Sequence, residues 1–286
     1  MTAIKNILAI VGDAQASRVT LQAAIRVARL FDCHIDALHV RADPATALPL
    51  VGEAMSGNMV NEMMVVAERE SGLRAKAARA MYAELVSAAG IAGQATSGFS
   101  ATWHESTGAE EQAVALRACR ADMILLARPT RDNETATLMT LNAALMQSGR
   151  PVLTAPPVAS SPDAAFKRIA LFWNGSTEAT RAVTAALPFL TRAEQVTVLR
   201  VEEEEWFAPT EDLEAFLGYH GINTVVSKVL AGKGRTGAAL LAAAADNGDD
   251  MMVMGAYTRS KLRQLILGSV TGYVMEHAAL PVFLCH

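Results

Sequence analysis

The stretch "DMMVMGAYTRSKLRQLILGSVTGYVMEHAALPVFLC", residues 250–285, decides the fold. It opens on a short apolar run, "DMMVMGA" (250–256), closed by glycine and too short for a buried helix, so it reads as a buried strand. A basic loop with Arg259, Lys261 and Arg263 follows and ends at Gly268-Ser269. A helical pattern covers 269–278, and "LPVFLC" (280–285) is a second buried strand. Strands apolar on both faces and joined through a helix belong to a parallel sheet covered by helices on both sides.

The same order occurs earlier in the chain. "ADMILLAR" (121–128) matches "DDMMVMGA", and "RPVLTA" (150–155) matches "LPVFLC". Ahead of the first pair stand strands at 4–11 and 33–40, a helix over "SRVTLQAAIRVARLF" and a long helix at about 60–89. Ahead of the second pair stand strands at 168–173, 195–201 and 224–230, with helices at 177–190, about 210–219 and 236–246. Between the repeats lies "PPVASSPDAAF" (156–166), whose composition is that of a linker. The expectation is two domains, 1–157 and 166–286, each doubly wound. The crossovers should be right-handed. Ligands in such sheets bind at the carboxyl ends of the strands, which selects the loops after 173, 230 and 255.

Composition excludes several classes. With 286 residues, 51% of them apolar, the chain can build a substantial core, and a net charge of −4 argues against a dedicated nucleic-acid binder. Neither a signal peptide nor a membrane-length apolar run is legible, so a cytoplasmic address is expected. Cys33, Cys119 and Cys285 lack metal-ligand spacing and read as core residues, and the six histidines form no ligand pair. Met55, Met59 and Met63, within an insertion at 42–66, read as core or subunit interface. "EEEE" (202–205) reads as a solvated loop. No nucleophile elbow, phosphate-loop motif or catalytic cysteine–histidine pair occurs.

Three loops carry candidate chemistry. In the first, Gly255 and Gly268 permit close backbone approach, while Ser269 and the first N–H groups of its helix can face an anion. An ordinary strand-to-helix loop capped by its own serine explains the same residues. In the second, "AGKGRTG" (231–237), Gly232, Gly234 and Gly237 fit G-x-G-x-x-G. The loop is the third of its unit rather than the first, and no acidic residue ends the next strand, so a dinucleotide role is not supported. Gly232 with Lys233 or Arg235 can still line a nucleotide pocket. In the third, "FWNGSTEAT", Trp173 and Asn174 lie on the same rim, although turn and cap chemistry also account for Asn174-Gly175-Ser176. The first half has no glycine between Ala127 and its helix, and Asp132 and Glu134 would repel phosphate.

These residues resemble the universal stress protein family in tandem form. The family's G-x2-G-x9-G-(S/T) loop is matched by Gly255-x2-Thr258-x9-Gly268-Ser269, followed by Pro281-Val282, and "IALFWNGSTEATRAV" is similar to its first strand and helix. The resemblance implies two flavodoxin-like (adenine nucleotide alpha hydrolase-like) domains, each a five-stranded parallel sheet of order 3-2-1-4-5, paired through their last strands. It further implies that an adenine nucleotide, ATP with Mg²⁺, meets Gly255, Thr258, Arg259, Gly268, Ser269 and Val270 at its phosphates. Trp173, Asn174 and the loop with Gly232 would meet the adenosine. Thr258 stands where a glycine is expected, and Asn174 where the nucleotide binders carry aspartate. The expected role is a non-enzymatic stress sensor or scaffold, forming a homodimer or an internal pseudo-dimer and engaging an unidentified protein partner. A nucleotide-free interaction module and a slow ATP hydrolase are the alternatives.

Overall fold

The computed structural model describes residues 3–12, 14–44, 57–93, 98–129, 134–156, 166–201, 209–232, 234–256 and 269–286. Within them the strands are β1 (Asn6–Ile10), β2 (His34–Arg41), β3 (Ala92–Gly93), β4 (Ser100–Thr107), β5 (Met123–Ala127), β6 (Val152–Ala155), β7 (Arg168–Phe172), β8 (Gln195–Val201), β9 (Thr224–Val229), β10 (Met251–Gly255) and β11 (Val282–Cys285). The helices are α1 (Ala14–Phe31), α2 (Gly57–Ala88), α3 (Glu110–Ala118), α4 (Glu134–Gln147), α5 (Thr177–Leu190), α6 (Thr210–Tyr219), α7 (Thr236–Asp246) and α8 (Ser269–His277).

All the strands lie in one sheet of order β3-β4-β2-β1-β5-β6-β11-β10-β7-β8-β9. The second half reads 3-2-1-4-5 inward from its edge, and the first half repeats that order with two-residue β3 added outside β4. Every pairing is parallel except β6 with β11, which is antiparallel with Phe283 opposite Leu153. The two halves therefore join through their last strands, and their carboxyl rims lie at opposite ends of the sheet.

The physics of a two-faced strand builds both cores. In β1, Ile7 and Ala9 face one layer while Leu8 and Ile10 face the other. The first layer takes residues of α1, α2, α5 and α6; the second takes residues of α3, α4, α7 and α8. Phe189, fully buried on α5, joins the halves: its ring meets Phe31 of α1 at 4.8 Å and Phe283 of β11 at 5.8 Å. The duplication also reaches single hydrogen bonds. Asp122 Oδ2 accepts from the backbone of Lys5 and Asn6 at 2.7 and 3.0 Å. Asp250 does the same for Lys167 and Arg168 at 2.9 and 3.1 Å.

Three expectations need correction. The strand Ser100–Thr107 is absent from the sequence reading because only Ser100 and Ala101 are buried, leaving no apolar alternation along the rest. Cys119 is exposed, unlike Cys33 and Cys285, because it follows α3 at the surface. Met59 and Met63 are not core: they sit on the outer surface of α2, which begins at Gly57 inside the expected insertion. Met55 lies outside the described residues, as does most of the 156–166 linker.

Candidate functional site

The second half presents its carboxyl rim where β7 and β10 lie side by side, the point at which strand order reverses. The turn after β7 is built by its own polar residues. Asn174 Oδ1 accepts the N–H of Ser176 at 3.1 Å, Gly175 takes a positive φ of 72°, and Ser176 Oγ accepts the N–H of Ala179 at 3.1 Å to cap α5. Trp173 turns inward: its side chain is buried in the core, and its indole ring floors a cleft of about 170 Å³ between α5 and α6. Only its backbone remains for the rim, with Trp173 N–H donating to Leu199 O at 3.4 Å.

Gly255 closes β10 against that turn. A Cβ there would stand 2.6 Å from Ala179 N and 2.8 Å from Glu178 C, so the absent side chain is what lets the first turn of α5 settle on the strand end. Ser269 is exposed as the first residue of α8, and half-buried Val270 packs on the core beneath it. Thr258, Arg259 and Gly268, along with Lys233 of the 231–237 loop, lie outside the described residues.

In the 231–237 loop, Gly232 is exposed with open space around it, and its carbonyl accepts the N–H of Arg235 at 3.0 Å. Gly237 has a different cause. A Cβ on it would meet Tyr273 Cβ at 2.9 Å, so α7 and α8 cross closely at this glycine. Helix packing accounts for the last glycine of the G-x-G-x-x-G pattern without a dinucleotide.

At the first half's rim stand groups that the sequence alone does not single out. Glu110, in the first turn of α3, accepts a hydrogen bond from Thr140 Oγ1 of α4 at 2.8 Å. Its Oε2 lies 4.0 Å from the position a Cβ on Gly12 would take. Burial pushes its carboxyl above the usual range, against the pull of Thr140 and of nearby His39. Arg128, directly after β5, is buried and donates through both terminal nitrogens to Ala278 O and Leu280 O at the end of α8. Among the described residues no carboxylate pairs with it, and burial pushes its pKa down to about 10.

A separate polar cluster lies on β1, β2 and β4. Asp36 accepts from Asn6 Nδ2 at 3.0 Å and lies 2.7 Å from His104 Nε2 and 3.5 Å from His34 Nε2. Burial works to raise the Asp36 carboxyl, but these hydrogen bonds and imidazoles outweigh it and hold the group below its usual range. Among the described residues, no set of three or more His, Cys, Asp or Glu side chains is arranged to hold a metal ion. Nor is any described helix long and apolar enough to cross a membrane.

Residues 202–286 match the model of the Universal stress protein family. A universal stress protein from Archaeoglobus fulgidus DSM 4304 has the same fold, with a TM-score of 0.65 at 17% identity over 98% of this chain and 95% of that one. A functionally unknown protein from Pseudomonas aeruginosa PAO1 superposes with a TM-score of 0.56 at 13% identity over 99% and 92%. No curated protein matches the chain. The shared fold therefore spans both halves, while the family's sequence signature lies in the second.

Proposed function

We propose that the chain is a stress-response sensor or scaffold of the universal stress protein type, with units 1–157 and 166–286, whose second half holds an adenine nucleotide without turning it over. One observation carries the reading. Gly255 seats the end of β10 on the first turn of α5, beside the 174–176 turn and at the strand-order reversal, the place where ligands of such sheets bind. Ser269 opens α8 on the same rim and offers a hydroxyl and helix N–H groups to an anion. In this reading Gly255, Thr258, Gly268, Ser269 and Val270 surround the phosphates of ATP with its Mg²⁺, and Arg259 adds positive charge. Asn174, the Trp173 backbone and Gly232 line the adenosine.

One observation favours the nucleotide-free alternative. The Asn174 amide oxygen is already engaged by Ser176 N–H and, being neutral, offers less to a ribose or metal than an aspartate would. The deciding measurement is the adenine-nucleotide content of purified protein after denaturation, followed by titration of ATP. About one nucleotide per chain, with affinity falling roughly tenfold or more in Ser269→Ala, is the expected result. Protein that purifies empty and fails to bind added ATP identifies an interaction module instead.

A further inference from the structure

A groove of about 550 Å³ lies between the two halves. The first half contributes Ile4, ahead of β1, Asp122, ahead of β5, and Arg150 and Pro151, ahead of β6. The second half contributes Thr184, Ala185, Leu187 and Pro188 of α5, and His220, which follows α6. A volume of this size is that of a small-molecule site, and such sites favour the junction of two domains.

The polar groups of the groove are incompletely matched. Arg150 donates from Nη2 to Cys119 O at 3.1 Å, and among the described residues no carboxylate pairs with it. Asp122 takes its two backbone N–H groups on Oδ2 alone, and no hydrogen bond from a described residue reaches Oδ1. The His220 ring lies 4.8 Å from that of Phe216, and its nitrogens hydrogen-bond to no described residue. Asp122 and Arg150 thus line one groove with opposite charges and form no ion pair with each other. The counterpart of Asp122 in the second half stands differently. Asp250 receives backbone N–H groups on both oxygens, from Lys167 and Arg168, and its charge acts on Arg26 of α1. Along the groove that holds Asp122, α5 presents Thr184 and Ala185, neither of them charged.

We infer that this groove binds a small apolar zwitterion, an α-amino acid with an aliphatic or aromatic side chain. Its carboxylate meets Arg150, whose planar fork of donors suits that group. Its ammonium meets Asp122 Oδ1. Charge selects the class: a simple carboxylic acid would face Asp122, and a simple amine would face Arg150, each leaving one charge of the groove unmatched. The side chain lies on Ile4 and Leu187, both buried, and on the rings of Pro151 and Pro188, where apolar surface leaves water. None of these residues belongs to the nucleotide site proposed above, so ATP should not compete.

Calorimetric titration of the full chain with L-phenylalanine tests the site, with phenylpropionate and phenethylamine as probes that each lack one charge. Saturable binding of about one molecule per chain is expected, unaffected by ATP, with each single-charge probe weaker by roughly tenfold or more. Arg150→Gln should weaken phenylalanine by a similar factor and leave phenethylamine no weaker. Thr184→Trp fills the groove from an exposed helix position, so binding should be lost while the thermal midpoint stays within a few degrees of wild type. The imidazole signals of His220, followed by NMR, should move with phenylalanine in wild type and stay still in Thr184→Trp. Absence of binding at millimolar phenylalanine, binding that survives Thr184→Trp, or displacement by ATP overturns the site. Phenylpropionate that binds as tightly as phenylalanine overturns the zwitterion as its ligand.

Discussion

Gly255 shows how one residue type can answer to two demands. Read in the chain, it is the first glycine of a loop suited to phosphate; in the fold, its missing Cβ makes room for Ala179 and Glu178. Gly255→Ala should therefore destabilise the protein by about 1–3 kcal/mol whether or not nucleotide is present, as measured by urea unfolding. A loss of nucleotide affinity at unchanged stability would assign the glycine to the ligand alone. Asp249 carries a second prediction at this scale. Burial raises its carboxyl from 3.8 to about 6, against the pull of Arg168 and Asn247. Its folded pKa is above its unfolded one, so the folded state binds the extra proton and stability falls as pH rises from about 4 to 6. Asp249→Asn should gain on the order of 2 kcal/mol at pH 7, after allowing for solvent screening, and nothing below about pH 4. Parallel urea titrations of the two proteins at both pH values check the sign. Neither effect is legible in the sequence, because both depend on what lies beside the residue across the fold.

Among the elements, the legible ones are those whose burial is continuous. β5, β6, β10 and β11 are buried nearly end to end and read as unbroken apolar runs. β4 escapes because six of its eight residues are only half-covered or exposed, so neither period nor composition marks it. The cap of α5 is legible too: serine after Asn-Gly announces a helix start, and Ser176 Oγ does receive Ala179 N–H. Ser176→Ala should cost about 1 kcal/mol, with faster amide exchange confined to the first turn of α5. The cost should persist in nucleotide-free protein, because the cap is internal to the turn. α2 is legible as a helix, whereas the exposure of Met59 and Met63 and the burial of Met81 follow from which side of it faces the body.

At the scale of the molecule, apolar and polar contacts both cross the β6–β11 seam. Phe189 packs on Phe31 from the other half, and Arg192 lies over the same ring at 4.9 Å from its centroid. Arg128 reaches from the first half to the end of α8 in the second. Phe189→Ala should cost about 3–5 kcal/mol and lower the single unfolding transition as a whole. Two separate transitions in that variant, by calorimetry, would show that the halves unfold independently once the aromatic contact is gone.

The sequence by itself determined the repeated strand–helix order and the parallel sheet. These follow from local period and apolar content, which each segment carries wherever it is placed. What packs beside each rim was decided by tertiary structure. Glu110 meets Thr140 and lies near Gly12 across intervals of 30 and about 100 residues, contacts that only the folded sheet creates. The inward turn of Trp173 and the close crossing at Gly237 were settled in the same way. Each depends on the space left by a distant helix, a quantity absent from any stretch of chain read alone.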